Sequence, residues 1–168
     1  LRNSSAASDV YKRQILGYEK NPSFGTGFFT KPEQIQAHCA RLQDSFDVRP
    51  QNPTLISSQF SGGNQQKLVL SREISSAPKI LLVGQPTRGV DIGAIEFIHK
   101  TLIKMRDSGC AILLVSVELE EILSLSDRIL VMNSGEIMGI VSKANTTKAM
   151  LGKMMAGIPL EKAIEEKN

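Results

Sequence analysis

The sequence predicts an α/β domain whose sheet is mainly parallel and flanked by helices. Compact apolar runs are the first observation, because such runs are typical of strands buried in a parallel sheet. Segments with helical spacing of apolar residues lie between them, and this alternation favours helices packed on the sheet. The apolar runs are 79–83, 111–116 and 128–132.

Length and composition fit one domain or a large piece of one. The chain has 168 residues, with 20 basic and 17 acidic side chains and a net charge of +3. This balance gives little support to a nucleic-acid partner. No apolar segment approaches the roughly 20 residues of a membrane-crossing helix, so we expect any membrane link to come through a partner. Cys39 and Cys110 lack metal-ligand spacing and fit a reducing compartment.

The N-terminal part of the chain shows little regular pattern. Residues 1–14 lack apolar periodicity, and we interpret them as a disordered junction or truncation remnant. Proline and glycine interrupt residues 15–30, which predicts a loop. Residues 32–43 predict a helix with Pro32 in its first turn. His38 lies in this helix without a catalytic partner pattern, so we interpret it as a surface or half-buried histidine.

A turn with two adjacent glycines organises the chain. This glycine turn is the segment 60–67, Phe-Ser-Gly-Gly-Asn-Gln-Gln-Lys, and it leads directly into a helical pattern. A helix N-terminus presents unpaired N–H groups, and Gly62 and Gly63 let an anion approach the backbone closely. Ser61 adds a hydroxyl donor. The same residues also fit an ordinary capped turn without a ligand.

The rest of the chain alternates between strands and helices. The strand at 79–83 ends in Gly-Gln-Pro-Thr-Arg-Gly-Val-Asp at 84–91. The turn at 133–136 predicts a hairpin between the last two strands. The further predicted elements are helix 94–107, strand 111–116, helix 118–125, strands 128–132 and 137–141, and helix 146–155.

The glycine turn, the strand and then Pro-Thr-Arg-Gly-Val-Asp at 86–91, in this order and spacing, resemble the ATP-binding cassette of ABC transporters. The resemblance covers about residues 15–157. It implies a fragment of a P-loop NTPase-like cassette. Part of the helical signature subdomain is then expected at about 30–75, an α/β part at about 76–157, and a charged tail at 158–168.

Several positions depart from the family's pattern. No G-x-x-x-x-G-K-[ST] phosphate loop occurs in the sequence. The resemblance implies an Asp-Glu pair before Pro-Thr, where this chain has Gly84 and Gln85, and a switch histidine where it has Val117. Glycine has no side chain to hold a metal, and a neutral amide cannot accept a proton as a carboxylate can. We therefore expect no metal ligands and no catalytic residue here, with Gln85 and Val117 at degenerate catalytic positions.

The glycine turn matches the signature motif of the family. The resemblance implies that this motif completes the ATP site of another cassette. Asp91 matches an interface aspartate of the family, and it also fits a cap for the helix that starts near Ala94. ATP and Mg²⁺ are expected to be bound mainly by the partner cassette and by a part of the cassette that precedes this segment. The expected nucleotide-binding residues are Ser61, Gly62, Gly63, Asn64, Gln65 and Asp91.

The finer resemblance is to the second cassette of tandem-cassette importers for simple sugars and nucleosides. It rests on Asn64, on residues 86–96 and on Ser-Asp-Arg at 126–128, while Gly84-Gln85 and residues 97–100 favour the nucleoside branch. It implies as partners a second cassette, transmembrane permease subunits and, indirectly, an extracytoplasmic substrate-binding protein, with no nucleic acid. The implied location is peripheral, at the cytoplasmic face of the plasma (inner) membrane.

Two alternatives from other classes remain open at this point. A soluble ABC-type ATPase of DNA or ribosome function shares the signature, but it is expected to keep the Asp-Glu pair and to carry basic insertions. A purely structural α/β module accounts for the strands and helices and treats the motifs as coincidence.

Overall fold

The predicted α/β class is observed. The computed structural model describes residues 9–18, 21–26 and 29–165, in which helices alternate with strands. The strands of this part of the chain form three two-stranded sheets. None of its helices has the length and apolarity that a membrane crossing requires. The chain divides into two compact units, Leu1–Leu113 and Leu114–Asn168.

The first unit begins with a short helix where the sequence predicts a disordered junction. Helix α1 spans Val10–Gln14, and residues 1–8 of the expected junction lie outside the described residues. Val10 is buried, and its N–H donates to the Leu55 carbonyl oxygen at 2.9 Å. The buried Val10 side chain and its paired N–H group thus hold α1 against the rest of the first unit. The antiparallel strands β1 and β2 follow, at Gly25–Thr26 and Phe29–Thr30.

The region that precedes the α/β part has an apolar core to which α1, two further helices and the connecting loops contribute. Helix α2 spans Pro32–Ser45, which confirms the predicted helix and its N-terminal proline. Helix α3 spans Gly62–Ser75 and packs against α2. The buried residues of the core are Val10, Cys39, Val48, Phe60 and Leu68.

A strand, helix and strand follow α3, as predicted. Strands β3 and β4 are hydrogen-bonded neighbours, and the Ala111 N–H donates to the Lys79 carbonyl oxygen at 2.9 Å beside them. Helix α4 begins earlier than predicted because Asp91 caps it. The bounds are Ile80–Gly84 for β3, Ile92–Asp107 for α4 and Ala111–Val115 for β4.

The expectation that the 79–83 strand is fully buried is wrong for this chain. Leu81 and Val83 are buried, whereas Ile80 and Leu82 are 75% and 70% exposed. Side chains alternate between the two faces of a strand, so the result means that only one face of β3 is covered.

The second unit is built on a hairpin, which confirms the predicted turn. Strands β5 and β6 pair antiparallel, and Ser134 and Gly135 between them have positive φ values of 49° and 86°. Helices pack on one face of the hairpin around Leu151 and Met154, which are fully buried. The bounds are Leu119–Leu125 for α5, Arg128–Asn133 for β5, Glu136–Ser142 for β6, Lys148–Met155 for α6 and Leu160–Glu165 for α7.

Helix α7 lies in the segment expected to be a charged tail. Ala163 is buried in the core of the second unit, and Leu160 packs against that core. A Cβ atom at Gly139 in β6 would lie 2.6 Å from the Leu160 Cβ. The absence of a side chain at Gly139 therefore lets α7 pack closely on the hairpin, and this contact orders the tail.

Candidate functional site at the start of α3

Ser61 is the N-cap of α3. Its backbone is extended, with φ −59° and ψ 158°, and its Oγ accepts a hydrogen bond from the Asn64 N–H at 3.4 Å. The Ser61 side chain is exposed, as is Gly62, the first residue of the helix. The first N–H groups of a helix have no carbonyl partner within it and carry the positive end of the helix dipole. The glycine turn therefore presents a hydroxyl and a positive helix end together.

The Asn64 and Gln65 side chains are engaged within the protein. Asn64 Nδ2 donates to Ser61 Oγ at 2.9 Å, and Asn64 Oδ1 accepts from the Arg49 N–H at 2.8 Å. Gln65 Nε2 donates to the Phe60 carbonyl oxygen at 2.9 Å. Both amides thus hold the glycine turn in shape, a role that sequence reasoning, which expected nucleotide contacts, did not identify.

The two glycines permit a close contact between the glycine turn and the start of α4. A Cβ atom on Gly62 would lie 2.9 Å from the Gly89 carbonyl oxygen. A Cβ atom on Gly63 would lie 2.8 Å from the Ala94 Cβ and 3.1 Å from Asp91 Oδ2. Side chains at either position would overlap with these atoms, so the glycines serve packing as well as any ligand.

Asp91 lies beside the glycine turn and caps α4. Its Oδ1 accepts from the Ala94 N–H at 2.8 Å, which confirms the predicted capping role. Its other carboxylate oxygen lies close to Gly63, as the distance above shows. The structure therefore brings together all of the residues expected to bind nucleotide, from Ser61 to Gln65 and Asp91.

Gly84 and Gln85 lie at the carboxyl end of β3. Gly84 is exposed, and a Cβ atom placed on it would meet nothing within 4 Å. Gln85 is half-buried with a positive φ of 50°, a conformation that is uncommon for residues other than glycine. The Gln85 carbonyl oxygen accepts from the Arg88 N–H at 3.2 Å, so the chain turns here towards Asp91.

Val117 lies in the second unit, between β4 and α5. Its side chain is 68% exposed. The Glu118 N–H donates to Ser116 Oγ at 3.0 Å, so a local turn sets the backbone here. The Val117 side chain offers only methyl groups, and hydrogen bonding to a ligand is not available to it. In the described residues no group of three or more His, Cys, Asp or Glu side chains is placed to hold a metal ion.

Comparison with curated proteins finds import ATP-binding proteins, whereas no family model matches the chain. A nucleoside import ATP-binding protein of Lactococcus lactis is 50% identical over 140 residues, which are 83% of this chain and 28% of that protein. A guanosine import ATP-binding protein of Bacillus subtilis is 46% identical over 143 residues, 85% of this chain and 28% of that protein.

Solved structures give the same class of protein. A nucleotide-free ATP-binding cassette from an ABC transporter has a TM-score of 0.67 at 18% identity and covers 98% of this chain and 64% of its own. A dimeric, post-hydrolysis cassette bound to ADP and Pi has a TM-score of 0.60 at 20% identity, over 80% of this chain and 54% of its own. The chain is part of an ABC ATP-binding cassette. It spans little more than a quarter of the length of the curated relatives it matches.

Lys67 of α3 makes two contacts that were not expected from the sequence, and together we call them the Lys67 clamp. Lys67 Nζ donates to the Asp47 carbonyl oxygen at 3.0 Å and lies 4.7 Å from the centre of the Phe97 ring of α4. A hydrogen bond from Arg49, together with the Lys67 charge, lowers the pKa of the exposed Asp47 carboxyl. The sequence at 46–49 mixes apolar and charged residues, a pattern that indicates the end of a helix and gives no sign of these contacts. The Lys67 clamp holds the 47–49 loop beside the glycine turn.

A cavity of about 240 Å³ in the first unit also borders Gly62 of the cassette. Arg72 and Arg88 contribute positive charge to its wall. Another wall consists of Val10, Arg13 and Gln14 of α1. The cavity therefore lies between α1 and α3, and it shares Gly62 and Gln65 with the candidate site.

His38 and Cys39 of α2 are packed against neighbouring residues, and for His38 this confirms the predicted half-buried position. His38 is half-buried, and its ring lies 4.9 Å from the Phe24 ring. Burial, with a smaller effect of Arg41, lowers the pKa of His38. Cys39 is fully buried, and burial raises the pKa of its thiol to about 12, which keeps it as an unreactive thiol.

Proposed function

We propose that this cassette supplies the signature half of a composite ATP site, in which a second cassette provides the phosphate loop and the hydrolytic carboxylate. The observation that carries the proposal is the N-terminus of α3, where the exposed Ser61 and Gly62 lie at the positive end of the helix. Such a helix end attracts phosphate oxygens. These donors are suited to the terminal phosphate of a nucleotide whose other contacts come from a second cassette.

The positions expected to support hydrolysis within this cassette are degenerate in our proposal. Gly84 offers no side-chain oxygen for a cation, and Gln85 offers an amide that can orient water but cannot deprotonate it. Val117 offers no polar atom to the terminal phosphate. We therefore infer that ATP hydrolysis takes place at the carboxylate of the partner cassette, while this cassette binds and positions the terminal phosphate there.

The residues present fit the phosphate part of ATP and not its metal. ATP with Mg²⁺ supplies the phosphoryl group that is transferred to water. Ser61 and the N-terminus of α3 are donors suited to phosphate oxygens. No metal-ligand cluster is found in the described residues, and we propose that the partner cassette and the remainder of this cassette hold the Mg²⁺. In the isolated chain we expect no hydrolysis.

The transported substrate is proposed to be a nucleoside or a simple sugar. The relatives named above are import ATP-binding proteins for nucleosides and guanosine, and a glucose import ATP-binding protein of Haloferax volcanii is 40% identical over 136 residues. The full-length protein is then expected to bind transmembrane permease subunits at the cytoplasmic face of the membrane and to serve an extracytoplasmic binding protein through them. Nothing observed favours a nucleic-acid function.

A charge test at Ser61 addresses the proposal without disturbing the packing of the glycines. Asp and Asn are both good N-caps and have almost the same shape, so Ser61→Asp and Ser61→Asn both preserve α3 and differ in charge. In the assembled full-length transporter, we expect Ser61→Asp to lower ATP turnover more than about a hundredfold, which corresponds to roughly 3 kcal/mol. Ser61→Asn is expected to keep at least about tenfold more turnover than Ser61→Asp.

Nucleotide binding is measured on the same preparations. Binding is expected to survive in both variants, because the main nucleotide contacts belong to the other cassette. Equal turnover in the Asp and Asn variants would contradict the composite site, since a phosphate beside Ser61 has to sense the added charge.

A further inference from the structure

We propose that Asn64 is a positioning residue that fixes the Ser61 hydroxyl as a hydrogen-bond donor towards the phosphate. This inference rests on the proposed composite site and assigns to Asn64 an indirect part in it. The Asn64 side chain contacts both Ser61 and the backbone of the 47–49 loop, as described above. It therefore acts through Ser61 instead of binding the nucleotide itself.

The orientation of the Asn64 amide follows from its partner in the loop. The Arg49 N–H is a donor only, so the atom of Asn64 that it contacts at 2.8 Å has to be the oxygen. The remaining amide atom, Nδ2, then faces Ser61 Oγ at 2.9 Å and donates to it. The direction of the second hydrogen bond is thus determined by the first.

The direction of that bond decides what the Ser61 hydroxyl can do. A serine hydroxyl has one donor hydrogen and two acceptor lone pairs. Asn64 occupies the acceptor side twice, through Nδ2 and more weakly through its backbone N–H. The hydrogen is left to point away from Asn64. Within the described residues Ser61 Oγ has no acceptor for it, so it is available to an anion at the helix N-terminus.

The loop that orients Asn64 is itself held in place. Asp47 has a positive φ of 46°, and Lys67 donates to its carbonyl oxygen while lying over the Phe97 ring. The side chain of Lys67 is only 13% exposed. The Arg49 N–H is therefore presented to Asn64 from an anchored backbone. The loop thus sets the orientation of the Asn64 amide, and the amide sets the orientation of the Ser61 hydroxyl.

Asn64→Asp tests this role with almost no change in shape. An aspartate keeps an oxygen for the Arg49 N–H but turns a second oxygen towards Ser61, whose hydrogen then binds the carboxylate instead of the phosphate. In the assembled full-length transporter we expect kcat to fall about tenfold or more, with little change in the KM for ATP. Asn64→Gln, which keeps the donor, is expected to retain at least about fivefold more turnover than Asn64→Asp.

The same substitution in a Ser61→Ala background separates this role from a direct effect of charge. Without the hydroxyl there is nothing to reorient, so Asn64→Asp is expected to cost less than about twofold there. An equal loss in both backgrounds would overturn the inference while leaving the composite site standing. Unchanged turnover in Ser61→Ala alone would overturn both, because then the hydroxyl does not contact the phosphate.

Discussion

The glycine turn and the end of β3 are both short segments at the end of a regular element, but they differ in how much of their chemistry is in place. At the glycine turn Ser61, Asn64 and Gln65 are linked by hydrogen bonds, and Gly63 packs closely on the start of α4. At the end of β3 the space around Gly84 is open, and Gln85 adopts a left-handed conformation. The first segment is organised around the Ser61 hydroxyl, and the second carries Gly84 and Gln85, which we propose to be degenerate catalytic positions.

On our proposal, the difference teaches that the segment serving the partner's ATP site can stay well ordered when the catalytic positions of the cassette's own ATP site are lost. The order of the glycine turn is maintained by packing and by internal hydrogen bonds, which do not depend on residues 84 and 85. On our proposal the cassette keeps the half of its chemistry that serves the partner.

The largest expected effect is the loss of ATP affinity in the isolated 168-residue chain. Without a phosphate loop it retains only the few donors of the glycine turn, so we expect a dissociation constant for Mg-ATP weaker than about 1 mM. Calorimetric titration measures it directly. A micromolar dissociation constant corresponds to a binding free energy of about 8 kcal/mol, which exceeds what these donors can supply. Such a value would contradict the proposal that the glycine turn is the nucleotide-binding segment of this chain.

The next largest expected effect is the loss of activity caused by Gly63→Asp in the assembled transporter. We expect turnover and transport to fall more than about a hundredfold, because a buried carboxylate at this position adds a negative charge beside the helix N-terminus that binds the phosphate. The Cβ contacts with Ala94 and Asp91 add strain in this variant, so thermal unfolding is measured alongside. Normal turnover would contradict the account, and loss of nucleotide binding together with turnover would show that packing alone is responsible.

Alanine at the two segments isolates their packing. Gly63→Ala introduces a Cβ atom that overlaps with Ala94, and we expect it to lower the free energy of unfolding by about 1–3 kcal/mol. Gly84→Ala, the matched control, has open space and is expected to stay within about 0.5 kcal/mol of the original chain. Chemical denaturation compares them. Equal losses would show that the glycine turn is no more tightly packed than the end of β3.

Gln85→Ala is expected to have the smallest effect. If hydrolysis takes place at the partner's carboxylate, turnover of the assembled transporter should stay within about threefold of the original. A steady-state phosphate-release assay gives the number. A loss of several orders of magnitude would mean that Gln85 positions the attacking water, as a glutamine does in some nucleotide hydrolases.

Local features of the fold and site were predictable from the sequence, and contacts between distant segments were not. The Ser61 cap, the Asp91 cap and the hairpin turn at 133–136 each depend on residues a few positions apart. The contact of Asn64 with Arg49 depends on a loop whose conformation no short pattern specifies. The exposed face of β3 and the order of α7 likewise depend on which other segments pack against them, which periodicity alone does not reveal.

The count of ADP molecules trapped by orthovanadate tests the central claim most directly. Vanadate replaces the terminal phosphate after cleavage and traps ADP only where hydrolysis takes place, so the count in the assembled transporter reports how many sites are active. The account predicts about one trapped ADP for each pair of cassettes, and its loss in Ser61→Asp. Two trapped ADP molecules per pair would contradict it, because then the cassette that carries Gly84 and Gln85 hydrolyses ATP as well.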